Sequence, residues 1–424
     1  MSLRRAGLRT NLWDGKQVVD HGNVRIAYVR VRVTVYERLP RMSSVDFDVS
    51  DEQMRATGLI KWNFQPAEVL PAWVAEMDCK PCPPVHEAIR MAVARGTFGY
   101  AQFDSVNGLP EATARFVYDR FGQTIDPSMV IGCADVMAGV GLALEHLCEP
   151  GAVVVPTPAY PPFLGIVPLL RFEMKTVDCV VNNGRYELDL AGIESALAAG
   201  ARTVLLCQPH NPLGRMFSVE ELEGLRDVVL KHGARVISDE IHAPITLAGM
   251  THVPYASIAG TADHVTTIVA ASKAFNIPGL KCAQVIAGNE ADRDKLRSLH
   301  YVANHGVTPL GIAATVAAYT WGGPWLDSLL MHLDEQLALT SELLAQRLPQ
   351  ISWIPPEATY LGWLDVRGTG IADPAAAARA GGVELSIGAD FGADYAGFAR
   401  LNFATSPERL ERVIDRLAVA WGSA

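Results

Sequence analysis

From residue 84 onward, short apolar runs alternate with segments whose apolar positions recur every three or four residues. The runs AVVVPTP, RTVLLCQP, RVISDE, HVTTIVAAS and QVIAG are bounded by turn-forming residues and predict strands. They are apolar throughout rather than at alternate positions, as in strands covered on both faces. Between them, PPVHEAIRMAVARG and LPEATARFVYDRFG carry Pro at the start and Gly at the end, and predict helices. SVEELEGLRDVVLKHG predicts a third. This alternation predicts an α/β fold: a three-layer α/β/α domain around a mostly parallel sheet.

After residue 324 the texture changes. PWLDSLLMHLDEQLALTSELLAQRL predicts a long helix, followed by strand-like pieces in ISWIPPEATYLGWLDV, GVELSIGADFG and ARLNFAT, and a final helix SPERLERVIDRLAVAWG. We read this as a smaller α+β domain. The predicted organisation is an N-terminal extension over 1–45, an N-terminal part of the small domain over 46–90, a large domain over 91–323, and the rest of the small domain over 324–424. The extension holds nine Lys/Arg against three Asp/Glu and an alternating stretch, VRIAYVRVRVTVY. It has no apolar core or small-residue cleavage site of a secretory signal, and Met42 is a plausible alternative start.

Composition narrows the function classes. With 49% hydrophobic and 19% charged residues, the chain is of ordinary globular type. No apolar run approaches the length of a membrane span, so none is expected. A net charge of −10 argues against nucleic acid as the partner. Seven scattered cysteines fit a reducing cytoplasm better than a disulfide framework. Cys79 and Cys82 form one CxxC, but no second ligand pair stands at zinc spacing and Pro-Pro follows, so neither a metal nor a redox role is predicted.

The strand ends carry the chemistry. AVVVPTP leads to Tyr160, LLCQP to Asn211, RVISDE ends on Asp239, and TTIVAAS ends on Lys273. In an open parallel sheet, ligands lie beyond the carboxyl ends of the strands, so these groups would face one crevice. An imine-forming lysine needs a partly desolvated amine near a carbonyl. Pyridoxal phosphate offers that carbonyl, and its ring nitrogen needs a carboxylate to stay protonated. Its phenolic oxygen needs a donor such as an Asn amide, and its ring a flat partner such as Tyr. Its phosphate needs N–H groups at a helix N-terminus and a cation. GCADVMAGVGLALEHL, with Asp135 and Val136 at its opening, supplies the helix, and Lys281 the cation.

The stretches KWNFQPAEVLPAWVAEMD, GTFGYAQ, PTPAYPPF, CQPHNPLGR, ISDEIHAP, SKAFNIPGLKCA and ARLNFATS together resemble the fold-type I pyridoxal-phosphate enzymes of the class I/II aminotransferase superfamily. Within it the chain is most similar to the cystathionine β-lyase (C–S lyase) branch that includes the maltose-regulon modulator. The resemblance implies pyridoxal 5′-phosphate as cofactor, Lys273 as its Schiff-base lysine, Asp239 at the ring nitrogen, Asn211 at the phenolic oxygen and Tyr160 on the ring face. It implies Arg400 as the clamp for the substrate α-carboxylate. It also implies Tyr100 reaching the active site of a neighbouring subunit, hence a homodimer with shared sites. The implied reaction is β-elimination from cystathionine or a related S-substituted cysteine, giving thiol, pyruvate and ammonia. Alternatives are an aminotransferase and a regulator of the same fold acting through protein–protein contact.

Some positions depart from the family pattern. A phosphate-binding Ser or Thr is often found three residues before the lysine, where this chain has Ala270, with Ser272 next to Lys273 instead. The loop before the phosphate helix reads CADVM and lacks the expected proline. His210 and His242 either belong to the site or pack in the core.

Overall fold

The computed structural model describes residues 44–422 apart from 248; the predicted extension lies outside the described residues except for its last two positions. Seven strands form the main sheet: β1 (Val130–Cys133), β2 (Ala152–Thr157), β3 (Met174–Asp178), β4 (Ala201–Cys207), β5 (Arg235–Asp239), β6 (Val265–Val269) and β7 (Ala283–Ala287). Their order is β1-β7-β6-β5-β4-β2-β3. β7 runs antiparallel to both its neighbours, β1 and β6, and the other four pairings are parallel.

Neighbouring side chains of one strand go to opposite faces. Val153 and Val155 of β2 cluster with Leu205 and Ile237, under helices α1 (Val136–Leu147) and α2 (Pro161–Leu169). Val154, between them, joins Val204, Leu206 and Val236 under α3 (Leu190–Ala198) and α4 (Val219–His232). Both faces are therefore dry, which is why the strand sequences read as unbroken apolar runs. Each Val or Leu so buried contributes about 1.5–3 kcal/mol. α4 begins with a reciprocal capping box between Ser218 and Glu221 and ends at Gly233, whose φ of 58° is left-handed. Gly139 lets α1 lie close on the sheet: a Cβ there would meet Ile268 Cγ2 at 3.0 Å and Val285 Cγ2 at 3.2 Å.

β1 and β3 are absent from the strands predicted above. β1 is four residues long, and β3 is an edge strand, MKTVD, with Lys175 and Thr176 exposed.

A second, antiparallel sheet has the order β8-β9-β11-β10, from β8 (Ser352–Trp353), β9 (Leu361–Asp365), β10 (Ser386–Ile387) and β11 (Phe398–Asn402). The long helix α5 (Gly323–Arg347) and the final helix α6 (Pro407–Gly422) cover it. Leu70–Pro71 pairs in parallel with Val383–Glu384, tying the early segment to the C-terminal sheet region. One core cluster holds Leu329, Leu361, Leu401 and Trp421 together with Ala271, Ala274 and Phe275. The second sheet is thus packed against the turn that carries Lys273.

Candidate active site

The register Cys207↔Asp239 and Asp239↔Ile268 brings the carboxyl ends of β4, β5 and β6 level. The turns beyond them open into two adjoining cavities of about 180 and 410 Å³ that share Ala75, Tyr160 and Lys273. Asp135, Val136, Asn211, Asp239, His242, Ser272 and Lys281 line the first. Arg400 lines the second. Of the residues to which the resemblance assigns a role, Tyr100 stands apart: its side chain is fully exposed and lines neither cavity.

Lys273 donates from Nζ to the Ala75 carbonyl at 2.9 Å. Burial, with the positive charge of Arg400 second, pushes its amine down to about 8. Asp239 is 3% exposed and has no cationic hydrogen-bond partner among the described residues. Among the described residues its carboxyl accepts one bond, from the Ile241 backbone N–H at 3.0 Å. Burial lifts its carboxyl to about 7 against the pull of that N–H and of Lys273.

Arg400, on β11, donates from Nη1 to Asn211 Oδ1 at 2.9 Å, and from Nη2 to the Trp73 carbonyl at 2.9 Å and Ser386 Oγ at 3.0 Å. Its Nε is buried without a partner, and it forms no ion pair among the described residues. Burial pushes the guanidinium down to about 10, and it lies 4.9 Å from the Phe391 ring centroid. Because the Asn211 oxygen accepts from Arg400, its Nδ2 is left with no partner among the described residues. The amide orientation is fixed by its neighbour.

The other end of the first cavity is the start of α1. Asp135 caps it, accepting from Ala138 N–H at 2.8 Å. Its second oxygen accepts from Lys281 Nζ at 2.7 Å. Burial pushes this carboxyl up, but Lys281 and the helix N–H groups outweigh it and hold it low. Lys281 itself adopts a left-handed φ of 54°, which turns the chain back toward α1. Tyr160 precedes α2 and meets Phe163 edge-on at 5.5 Å.

The sequence left two histidines open. His242 lines the cavity; burial and the nearby Lys273 and Arg400 charges hold it neutral, and its Nδ1 has no partner among the described residues. His210 lies outside both cavities, edge-on to Phe217 at 5.8 Å, and burial pushes it down to about 4. Ser272 is in the cavity wall while Ala270 is buried behind it. Cys79 and Cys82 are buried, and burial pushes the Cys82 thiol up to about 12, so neither is a ready nucleophile. Among the described residues no three His, Cys, Asp or Glu side chains converge to hold a metal.

Sequence reasoning missed the main-chain wall. The segment 73–77 presents the carbonyls of Trp73 and Ala75 to Arg400 and Lys273. Asn402 holds it by donating to the Val74 and Glu76 carbonyls at 2.6 Å each, and Asn276 exchanges two bonds with the Met77 backbone. Tyr360 donates to the Ala75 carbonyl at 2.9 Å. The available signal was the two asparagines, Asn276 inside SKAFNIPGLKCA and Asn402 inside ARLNFATS.

Comparison with known proteins gives a consistent picture. The cystathionine beta-lyase of Corynebacterium glutamicum is 40% identical over 371 residues, covering 87% of this chain and 98% of that protein. Protein MalY of Escherichia coli is 31% identical, covering 84% and 92%. Cystalysin from Treponema denticola, whose crystal structure contains pyridoxal 5′-phosphate, superposes with a TM-score of 0.81 at 26% identity, covering 90% and 98%. The sequence model for aminotransferase class I and II matches residues 74–417, and this chain belongs to that family.

Proposed function

We propose that the protein is a pyridoxal-phosphate-dependent carbon–sulfur β-lyase that cleaves cystathionine or a similar S-substituted cysteine. One observation carries the reading. A half-buried lysine amine held near neutrality shares a cavity with a buried carboxylate that lacks a cation among the described residues, and adjoins a buried guanidinium that lacks an anion among them. Each deficit matches one part of the system: Asp239 the protonated ring nitrogen of the cofactor, Arg400 the α-carboxylate of an amino acid. The free Asn211 Nδ2 suits the phenolic oxygen, and Tyr160 the ring face. The N–H groups of Val136 and Met137 with Lys281 suit the phosphate.

When bound, the cofactor supplies an aldehyde for amine condensation and a conjugated ring that delocalises the electron pair left at the substrate α-carbon. The chain does the rest. Arg400 fixes the substrate carboxylate and so the direction of the Cα–H bond. The Lys273 amine takes the α-proton, a role that needs its unprotonated form, and burial makes that form accessible near neutral pH. The Asp239 carboxylate holds a proton at the ring nitrogen. Thiolate leaves from the β-carbon, and the three-carbon enamine that remains, once released, is hydrolysed by one water molecule to pyruvate and ammonia. Elimination is favoured over transamination as the outcome by the identity of 40% to a cystathionine beta-lyase along nearly the whole chain.

The reading includes a homodimer. Phe98, Tyr100 and Phe103 are 70%, 105% and 87% exposed on one short loop region, a density of bare aromatic surface that a second copy would cover. In such a dimer Tyr100 serves the partner's site. The reading also places the protein in the cytoplasm, since all seven cysteines are free. No helix among the described residues is long and apolar enough to cross a membrane. The test is incubation of the holoenzyme with cystathionine and no keto acid. Catalytic release of pyruvate and thiol is the expected result. Stoichiometric conversion of the cofactor to its amine form, without pyruvate, would overturn the lyase reading in favour of a transaminase.

A further inference from the structure

The larger cavity exceeds what the alanyl half of a cysteine conjugate needs, and its far wall is charged. Arg379 and Glu384 form a two-pronged pair there, Nε to Oε2 at 2.6 Å and Nη2 to Oε1 at 2.8 Å. Gln65 Nε2 adds a third bond to Glu384 at 3.0 Å. Glu384 is buried and saturated by these donors, so it acts as a fixed anchor. Arg379 is partly exposed, and its Nη1 has no partner among the described residues. Asp390, on the same cavity wall, is exposed and forms no ion pair or hydrogen bond among the described residues. A cation held rigid with an unused N–H edge thus faces the same space as an unpaired carboxylate.

The spacing to Arg400 is set by extended backbone. Ser386 accepts from Arg400, and Glu384 lies two residues earlier on the same side of the chain, Leu385 between them being turned into the core. Two extended residues span about 6.6 Å. Arg379 and Arg400 are thus anchored on neighbouring positions of one short backbone segment and line the same cavity.

We propose that Arg379 and Asp390 form a subsite for the distal amino-acid end of a thioether substrate, Arg379 taking the distal carboxylate and Asp390 the distal ammonium. The proposal rests on the lyase reading for the proximal half and names which conjugates that site prefers: those with a zwitterion at both ends. Glu384 is a positioning residue, orienting Arg379 without touching substrate.

The experiment compares cystathionine, with a distal zwitterion, and S-methylcysteine, without one, on the holoenzyme and the Arg379→Gln and Asp390→Asn variants. The readouts are the ratio of the two kcat/KM values and, by calorimetry, the ratio of the two dissociation constants. Each variant should lower the preference for cystathionine about tenfold, the effect of losing one charge-assisted hydrogen bond. Asp390 is exposed and unpaired, so its variant reads the subsite even if Arg379→Gln folds poorly. Equal losses for both ligands, or no change in either ratio, would overturn the subsite. If the wild type binds both ligands but releases no pyruvate, the lyase reading fails while the binding ratio still decides the subsite.

Discussion

Replacing Asp239 by Asn should make the cofactor-free protein more stable while abolishing its use of the cofactor. The amide keeps the size of the carboxyl group and the acceptor toward the Ile241 N–H. What it removes is a buried charge without a cation. The folded-state carboxyl titrates at about 7 against its ordinary 3.8. The difference, 7 − 3.8, is about 3 units, or about 4 kcal/mol of disfavour for the charged form on folding. The sign follows from linkage. The stability contributed by the protonated carboxyl is full below 3.8 and is lost as pH rises to about 7. The Asn variant has no such slope. Its stability advantage over the wild-type apoprotein should therefore widen by about 2.5 kcal/mol between about pH 5 and pH 7.5.

Urea unfolding of both apoproteins at the two pH values measures that widening. With cofactor the order should reverse, because only the carboxylate gains a charged partner. Pyruvate release by the variant should fall at least about 100-fold, two units of lost bias toward the protonated ring. An apo variant less stable than wild type, or an advantage that does not change with pH, would refute the argument that Asp239 is a charge held in waiting.

Lys273→Ala should lower pyruvate release about 10³-fold, the scale of a lost general base, and borohydride should no longer fix the cofactor to the chain, as read by intact mass. Tyr100→Ala should be inactive alone, yet mixing it with Lys273→Ala subunits under exchange conditions should restore part of the lyase activity; no recovery would argue against shared sites. Gly139→Ala should destabilise the fold by about 1–3 kcal/mol in urea, since its Cβ would lie 3.0 Å from Ile268 and 3.2 Å from Val285 in a packed interior.

Side-chain chemistry at strand ends was legible because topology, not local detail, brings it together. Asp239, Asn211 and Lys273 follow three adjacent parallel strands, and any such sheet presents its strand ends on one rim. The same reasoning could not reach groups whose role lies in the backbone. The Ala75 and Trp73 carbonyls accept from Lys273 and Arg400, and a carbonyl has no letter of its own. Nor could it reach Arg379 and Glu384, whose pairing depends on a short helix and strand folding back on each other. β3 was hidden for a related reason: as an edge strand it keeps the polar residues that a central strand sheds.

Tyr100 marks the remaining limit. A fully exposed tyrosine has no physical reason to be where it is within one chain. The bare Phe98 and Phe103 beside it raise the same difficulty, and the proposed second copy would cover all three at once. Burying aromatic rings of this size is among the larger contributions available to an interface. On the proposed dimer this loop would complete the site of another subunit, and the complementation of Tyr100→Ala by Lys273→Ala tests that directly.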